Sequence, residues 1–302
     1  MRSTLLAVVA LLVPQMTFAT PADDIAAKFV DVLRHDSLAQ LANLVDEQEH
    51  DPHAWDELRD LVDRFDCTRI DRYDSTIESS TNERIALRVE LEGRAELKAV
   101  WRPERRLSRI WHIEARRVDA NWRVTRAFTE ERRIAMAMVA ARTPFDADRL
   151  FSASFDVDVP QVVRLYADEL TRAGDLPRFE YARELARSSG DVATQVDVLR
   201  AHAAAMTADP VRMLAVCRDT ERVARQSGNR DDLARALLTL GAAQWLNGDV
   251  EGARNSYAAT VDMVDVLDDP TTAMKALQMI VFLNGTDVAP LKRMKSVEQQ
   301  VE

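Results

Sequence analysis

The apolar positions between residues 23 and 65 recur with the period of an α-helix. Ile25, Phe29 and Leu33 fall on one face of a first helix, and aspartates occupy its first turn. Acidic residues at this end favour a helix because they interact with the positive end of its dipole. The pattern predicts three helices in this stretch, the third of which opens with Asp51-Pro52.

After residue 68 the period of the pattern changes to two. Four apolar residues alternate with charged ones, which predicts a strand with one buried face: Ile85, Leu87, Val89 and Leu91. A turn is predicted at Gly93, and Asp119-Ala120-Asn121 predicts a hairpin turn into a last strand. Helices followed by strands at hairpin spacing predict an α+β domain with a curved antiparallel sheet.

This element order, together with the closing hairpin at residues 118–124, resembles the cystatin-like cone of the SnoaL-like superfamily, which is also named after nuclear transport factor two. The resemblance covers residues 22–130. It implies helices packed on a curved sheet around a cavity that serves either an enzyme or a binding module. An enzyme would need a titratable pair in that cavity. His112 stands alone on its predicted strand, so we interpret it as a surface or edge histidine.

Residues 131–159 are predicted to form a helix and a linker, and residues 160–302 repeat themselves without any strand pattern. Segment 184–191 matches segment 222–229 at an offset of 38 residues. All-helical similarity at a period of about 34–42 residues is typical of a helix-pair solenoid. We predict four helix pairs, which begin near Pro160, Val192, Arg230 and Thr271.

Segment 234–265 resembles a tetratricopeptide repeat, in which large, small and aromatic residues occupy fixed places. The matching residues are Leu237, Leu240, Gly241, Gly248, Ala253 and Tyr257. Small residues at Gly241 and Ala253 would let the paired helices approach closely, with Tyr257 filling the space between them. Leu237 stands where the family has tryptophan, and Asp265 replaces the closing proline. An unrelated helical bundle is the alternative.

Composition excludes several classes of function. The net charge of −10 and the pI near 5.2 argue against a nucleic-acid partner. The sequence has no glycine-rich phosphate motif, serine-hydrolase elbow or zinc-protease motif, and His50 and His53 lack a third ligand nearby. We therefore expect no cofactor and no metal. Of the two cysteines, Cys217 is predicted to be a buried small hydrophobe.

The first 19 residues have the anatomy of a secretory signal. A positive start is followed by an apolar run of about ten residues, too short for a membrane span, and then by Thr17-Phe18-Ala19 with small residues at the cleavage positions. No later stretch predicts a membrane span. We expect a periplasmic or secreted protein, cleaved near Ala19, and the excess of Arg over Lys suggests a bacterium.

Two functions stay open at this stage. In the first, the inner face of the repeats binds a peptide or partner helix, without catalysis; in the second, the cone binds a small ligand or carries a hydrolase or isomerase activity. Alignment with the repeat family implies these inward residues: Arg200, Arg235, Leu238, Ala242, Trp245, Lys275 and Gln278. Arg200, Arg235 and Lys275 would form a basic strip that attracts an acidic segment of the partner. Trp245 would either anchor the partner or pack between neighbouring repeats.

Overall fold

The computed structural model describes most of the chain in two compact units, residues 1–130 and 131–302. The described residues are 20–35, 43–45, 58, 65–97, 105–106, 110–153, 157–267 and 270–284. The predicted signal segment and most of the second and third predicted helices lie outside these residues. The sequence also predicts a last helix from about Pro290, and this segment lies outside them too.

The first unit is an antiparallel sheet with a helix, α1, on one face. Helix α1 spans Pro21–His35. The strands are β1 Phe65–Ser80, β2 Arg84–Leu97, β3 Arg105–Arg106, β4 Ile110–Val118 and β5 Asn121–Thr129. The four long strands are ordered β1-β2-β4-β5, and the short β3 pairs with β2. This arrangement is the predicted α+β plan of the N-terminal half.

The sheet face toward α1 is packed with apolar side chains, as the alternation of β2 predicted. Phe29 on α1 and Trp111 on β4 are both buried, and their ring centroids lie 5.4 Å apart. Leu87, Val89 and Ile113 are fully buried in the same cluster. Among the described residues, the space between α1 and the sheet is therefore filled by apolar groups.

Two details of the sheet differ from the sequence prediction. The turn predicted at Gly93 is wrong, because β2 continues through it and Gly93 pairs with Ile70 beside a register shift. A glycine inside a strand often marks such an irregularity rather than a turn. Strand β1 was not predicted, since its sequence is mostly polar. The hairpin turn at Asp119 is confirmed, with a φ of 55° at that residue.

The second unit is helical throughout its described residues. Its helices are α2 Glu130–Ala140, α3 Pro144–Ser152, α4 Val159–Ala173, α5 Phe179–Ser188, α6 Val192–Ala205, α7 Pro210–Ser227, α8 Arg230–Leu246, α9 Val250–Val261 and α10 Thr271–Asn284. The chain is thus a mixed α+β protein with a helical C-terminal region. Among the described residues, no helix is both long enough and apolar enough to span a membrane.

Helix starts in this unit follow from local capping chemistry. The side chains of Asp158, Asp191, Asp209, Asn229 and Asp249 accept hydrogen bonds from backbone N–H groups in the first turns of α4, α6, α7, α8 and α9. These bonds satisfy donors that have no partner inside a helix. Helices begin at Val159, Val192, Arg230 and Thr271, where the repeat pattern placed the starts of helix pairs.

Residues 131–159, which we interpreted as a helix and linker, contribute two helices to the core of this unit. Ile134 and Met138 on α2 and Ala147 on α3 are buried in one cluster with residues of α4 and α5. Cys217 on α7 is buried and free, as predicted for a small core residue. Burial raises the pKa of its thiol to about 12, which disfavours the reactive thiolate form.

Candidate functional site

The seven residues predicted to bind a partner lie on three helices of the second unit that pack in sequence. Arg200 is on α6, four of the residues are on α8, and Lys275 and Gln278 are on α10. Helix α8 packs against both α6 and α10. The structure therefore brings the predicted residues together on neighbouring helices.

The two arginines of the predicted basic strip form ion pairs with aspartates of α6 and α8. The strip is therefore not a row of unpaired cations. Arg235 Nη1 lies 3.0 Å from Asp197 Oδ1, and its Nη2 lies 2.5 Å from Asp232 Oδ1. Arg200 Nη1 lies 3.5 Å from Asp197 Oδ1, and its Nε donates to Thr239 Oγ1 at 3.2 Å. The expectation of a cationic groove is therefore corrected for Arg200 and Arg235.

Asp197 is shared by several of these ion pairs, which together form a charge network. Its carboxylate receives guanidinium groups from three helices: Arg200 on its own α6, Arg235 on α8, and Arg164 on α4, whose Nε lies 3.4 Å away. Arg164 also pairs with Asp191, the N-cap of α6, at 2.7 Å. The network ties α4, α6 and α8 together. Charge pairs between separate helices leave no local sequence signal, which is why the residue pattern missed them.

Asp168 on α4 is a solvent-accessible carboxylate that forms no hydrogen bond or ion pair with another described residue. Desolvation by the surrounding protein raises its pKa to about 6, although the charges of Arg132 and Arg172 oppose this rise. Asp197 and Glu169 add to it through repulsion. An accessible carboxylate with a perturbed pKa is a feature of functional surfaces as well as of structural networks.

An exposed aromatic pair lies at the C-terminal end of the same face. Trp245 on α8 and Phe282 on α10 meet edge to face with ring centroids 5.6 Å apart, and they are 38% and 62% exposed. Lys275 and Gln278 are exposed, and their spacing from Phe282 places all three on one side of α10. Phe282 was missed because its helix is apolar on several sides.

The remaining predicted residues on α8 are less accessible to a partner. Leu238 is half-buried against the cluster that contains Tyr257 and Leu277, so it contributes to the core. Ala242 is half-buried. Lys275 has no ion pair with any residue that the structure describes. The accessible part of the predicted site is therefore Trp245, Phe282, Gln278 and Lys275; these four residues are called the aromatic patch below.

In the first unit, His112 is not the surface histidine that the sequence suggested. It lies on the sheet face opposite Trp111 and is only 6% exposed. Its Nδ1 lies 3.2 Å from Glu78 Oε2 and its Nε2 lies 2.5 Å from Glu130 Oε2. The Phe128 ring stacks against the imidazole with centroids 5.6 Å apart.

The carboxylates decide the protonation of His112. Burial alone lowers the pKa of an imidazole, but the hydrogen bonds and charges of Glu130 and Glu78 outweigh burial and raise the pKa of His112 above its ordinary value. A protonated imidazole that donates both N–H groups has no lone pair with which to act as a base. This geometry favours a cross-link between β1, β4 and Glu130, which directly follows β5, over catalysis.

A cleft opens at one edge of the first unit, between α1, the short segment around Asn43 and the start of β5. Its volume is about 440 Å³. It is lined by Lys28, Asp31, Val32, Asn43, Leu44, Asn121, Trp122 and Arg123. The volume falls within the range of about 300–1,000 Å³ for small-ligand pockets. Only three of the eight lining residues are apolar, so the cleft is more polar than such pockets usually are.

Within the described part of the chain, no three His, Cys, Asp or Glu side chains converge in a way that could hold a metal ion. His50 and His53 lie outside the described residues. No protein-family model matches this chain, and no curated protein matches it.

Proposed function

We propose that this is an exported, non-enzymatic interaction or scaffold protein that binds a peptide or partner helix through tetratricopeptide-like repeats. The observation that carries the proposal is the aromatic patch, where Trp245 and Phe282 are exposed side by side on adjacent helices. Exposed aromatic residues in a cluster are typical anchors of protein interfaces, where tryptophan is strongly enriched among the residues that dominate affinity.

The packing order of the helices supports a repeat arrangement. Each helix from α4 to α10 packs on the next one along the chain, and α4, α6, α8 and α10 also pack on one another in succession. The intervening helices, α5, α7 and α9, pack on the first helices of their own and the following pair. Close contacts among the first helices favour a curved stack with those helices on its concave side, the usual binding surface of helical repeats.

The aromatic patch suggests the chemistry of the partner. An apolar side chain of the partner would pack against the exposed surfaces of Trp245 and Phe282. Lys275 is a cation without an ion pair in the described structure, so an acidic group beside that anchor would be favoured. Because Arg200 and Arg235 are already paired with aspartates, we propose one acidic contact rather than a long acidic segment.

Capture from a periplasmic extract tests this proposal. Phe282→Ala and Trp245→Ala should each reduce capture of the same partner band at least tenfold, because truncating an interface anchor costs about 2 kcal/mol or more. Phe145 on α3 is 70% exposed and serves as a matched control, since Phe145→Ala removes an equally large exposed ring elsewhere. Equal capture by all four proteins, wild type included, would contradict the proposal.

Export is a separate part of the proposal. The mature chain is expected to begin near Thr20, after removal of the segment that ends at Ala19. Mass spectrometry of the protein recovered from the producing cell measures this directly. An intact segment on protein from the cytoplasm would contradict export without affecting the proposed binding face.

The second candidate function is small-ligand binding by the first unit, which we propose to be a SnoaL-like cone. The edge cleft beside Trp122 favours this candidate, whereas the apolar filling between α1 and the sheet does not favour a catalytic cavity. Quenching of tryptophan fluorescence by a small-molecule set, with Trp122→Leu as the comparison, tests it. A saturable ligand that Trp122→Leu no longer binds would establish the candidate, and no saturable ligand would count against it.

A further inference from the structure

We propose that a cleft between α5, α6 and α7 binds a small oxyanion, such as a phosphate or carboxylate group. The cleft is lined by Arg183, Ala186, Arg187, Gln195, Leu199, Asp219, Arg222 and Val223. It is formed by helices other than the two that carry the aromatic patch, and it does not depend on the proposed partner.

The size of the cleft sets an upper limit on its ligand. Its volume is about 50 Å³. A single water needs about 10–15 Å³ of such volume, so the cleft holds the equivalent of several waters. A tetrahedral oxyanion or a carboxylate group fits that space, whereas a nucleotide or a sugar ring does not.

The charge of the lining favours an anion. Three arginines face one aspartate, which leaves a surplus of two positive charges among the lining residues, in a protein whose net charge is −10. Glu180, which does not line the cleft, also pairs with Arg183 at 3.2 Å and is 71% exposed. Positive charge concentrated in a concave surface attracts anions more strongly than the same charge on a flat one.

The three guanidinium groups differ in how far they are already engaged. Asp219 bridges two of them, with 3.1 Å to Arg183 and 2.8 Å to Arg222. Arg187 is exposed and forms no ion pair or hydrogen bond with any described residue. Arg183 is only 17% exposed, and its Nε is a buried donor without a partner. Arg187 at the rim is thus the guanidinium that remains fully available to a ligand, because the buried Nε of Arg183 has no surface that a ligand could reach.

The apolar residues at the base of the cleft would strengthen the attraction between its arginines and an anion. Ala186 on α5 and Leu199 on α6 are buried apolar residues at the base, so an anion there would be partly removed from water. Electrostatic attraction is larger where the surroundings are less polar. Planar guanidinium groups also match the oxygen spacing of phosphate and carboxylate, and they can donate two hydrogen bonds at once.

Titration of the whole protein with inorganic phosphate, at constant ionic strength and pH 7.5, tests the proposal. We expect saturable shifts of the Arg187 and Arg222 Nε–H signals in NMR spectra. Arg187→Gln should weaken binding roughly tenfold, since it removes a charge-assisted hydrogen bond to the anion. Arg187 has no partner to lose, so this variant should fold normally. A parallel titration with acetate distinguishes a phosphate ligand from a carboxylate ligand.

Two further variants separate a binding site from a structural clamp. Asp219→Asn should tighten phosphate binding, because it releases two guanidinium groups from an internal competitor. Arg225→Gln is the matched control, since Arg225 is an exposed arginine on α7 that pairs with Glu221 and does not line the cleft. Shifts that never saturate, an unchanged affinity in Arg187→Gln, or an equal loss in Arg225→Gln would overturn the proposal.

Discussion

The ring of Tyr257 on α9 occupies the space that a side chain at position 241 of α8 would need. A Cβ atom placed on Gly241 would lie 2.5 Å from Cε1 of Tyr257, well inside van der Waals contact. Tyr257 is fully buried, so its ring has no open space to move into. Glycine at this position is therefore required by the close approach of the two helices and not by its backbone conformation.

Gly241→Ala should destabilise the protein even though alanine is the better helix former. Helix propensity favours the change by about 1 kcal/mol, while forcing a methyl group into a packed core costs about 1–3 kcal/mol. We expect a lower midpoint in urea unfolding. Tyr257→Leu in the same chain should remove most of the penalty of the Gly241 change, and the double-mutant cycle measures this coupling.

The hydroxyl of Tyr257 provides the control for this prediction. It is buried without a hydrogen-bond partner, and burial raises the pKa of the phenol to about 12. Tyr257→Phe should therefore leave stability unchanged or raise it, since an unpaired buried polar group is unfavourable. A large loss of stability in Tyr257→Phe, or additive effects in the cycle, would contradict the packing argument.

Arg235 should be needed for stability rather than only for binding. Asp232, its partner on α8, has a side chain that is only 3% exposed, and burial raises the pKa of that carboxyl despite the opposing charge of Arg235. Arg235→Gln should destabilise by roughly 3 kcal/mol, because it leaves a buried charge unpaired. Asp232→Asn added to it should recover much of the loss. Chemical unfolding at pH 7 measures both variants. An Arg235→Gln variant with the stability of the wild type would contradict this prediction.

Asp168→Asn should stabilise the protein at pH 8 but not at pH 4. The pKa of Asp168 is raised to about 6, so the folded state binds this proton more tightly than the unfolded state does. Stability therefore falls as the pH rises through about 4–6, and the ionised carboxylate is a cost above that window. Unfolding curves of the two proteins across this range check the sign. A wild type that is the more stable protein at pH 8 would be the contrary result.

The two histidines that are buried in the described part of the chain, His112 and His202, should give opposite pH dependences. The raised pKa of His112 means that its contribution is fully present below about pH 6.5 and is lost as the pH rises through its folded value. Burial lowers the pKa of His202, with Arg183 adding to this and Glu180 opposing it. The contribution of His202 is therefore lost as the pH falls below about 6.5, where the unfolded chain takes up the proton.

Glutamine variants separate these two contributions. His112→Gln should lose the most stability near pH 5.5 and less at higher pH. The stability of His202→Gln relative to the wild type should be highest near pH 5.5. At that pH the wild type is destabilised, because the His202 imidazole stays neutral in the folded state while the unfolded chain takes up a proton. The measurement is chemical unfolding from pH 5 to 9. Parallel pH curves for the two variants would contradict the assigned environments.

Local signals explain which parts of the fold were predictable. Asp209-Pro210 marks the start of α7 because the aspartate caps the helix and proline fits its first turn. The apolar faces of α1 and β2 followed from period alone. Strand β1 could not be found this way, since it is held by pairing with β2 while most of its side chains are exposed.

The candidate site was only partly predictable, for a different physical reason. Alignment to a repeat places a residue on a face, which is how Trp245 was found. It does not say which charges are compensated. Asp197 neutralises arginines that lie up to 38 positions away in sequence, and Glu78 on β1 reaches His112 on β4 across the intervening strand β2. Such contacts depend on how elements pack, so they become visible only in three dimensions.

We propose that the face shared by α8 and α10 binds a partner. A photo-crosslinking amino acid placed at Gln278, beside the aromatic patch, tests this in the producing cells, with exposed Arg225 on α7 as the control position. We expect a discrete protein adduct from position 278 that disappears with Trp245→Ala and is absent from position 225. Adducts from both positions alike, or an adduct from position 278 that survives Trp245→Ala, would contradict it.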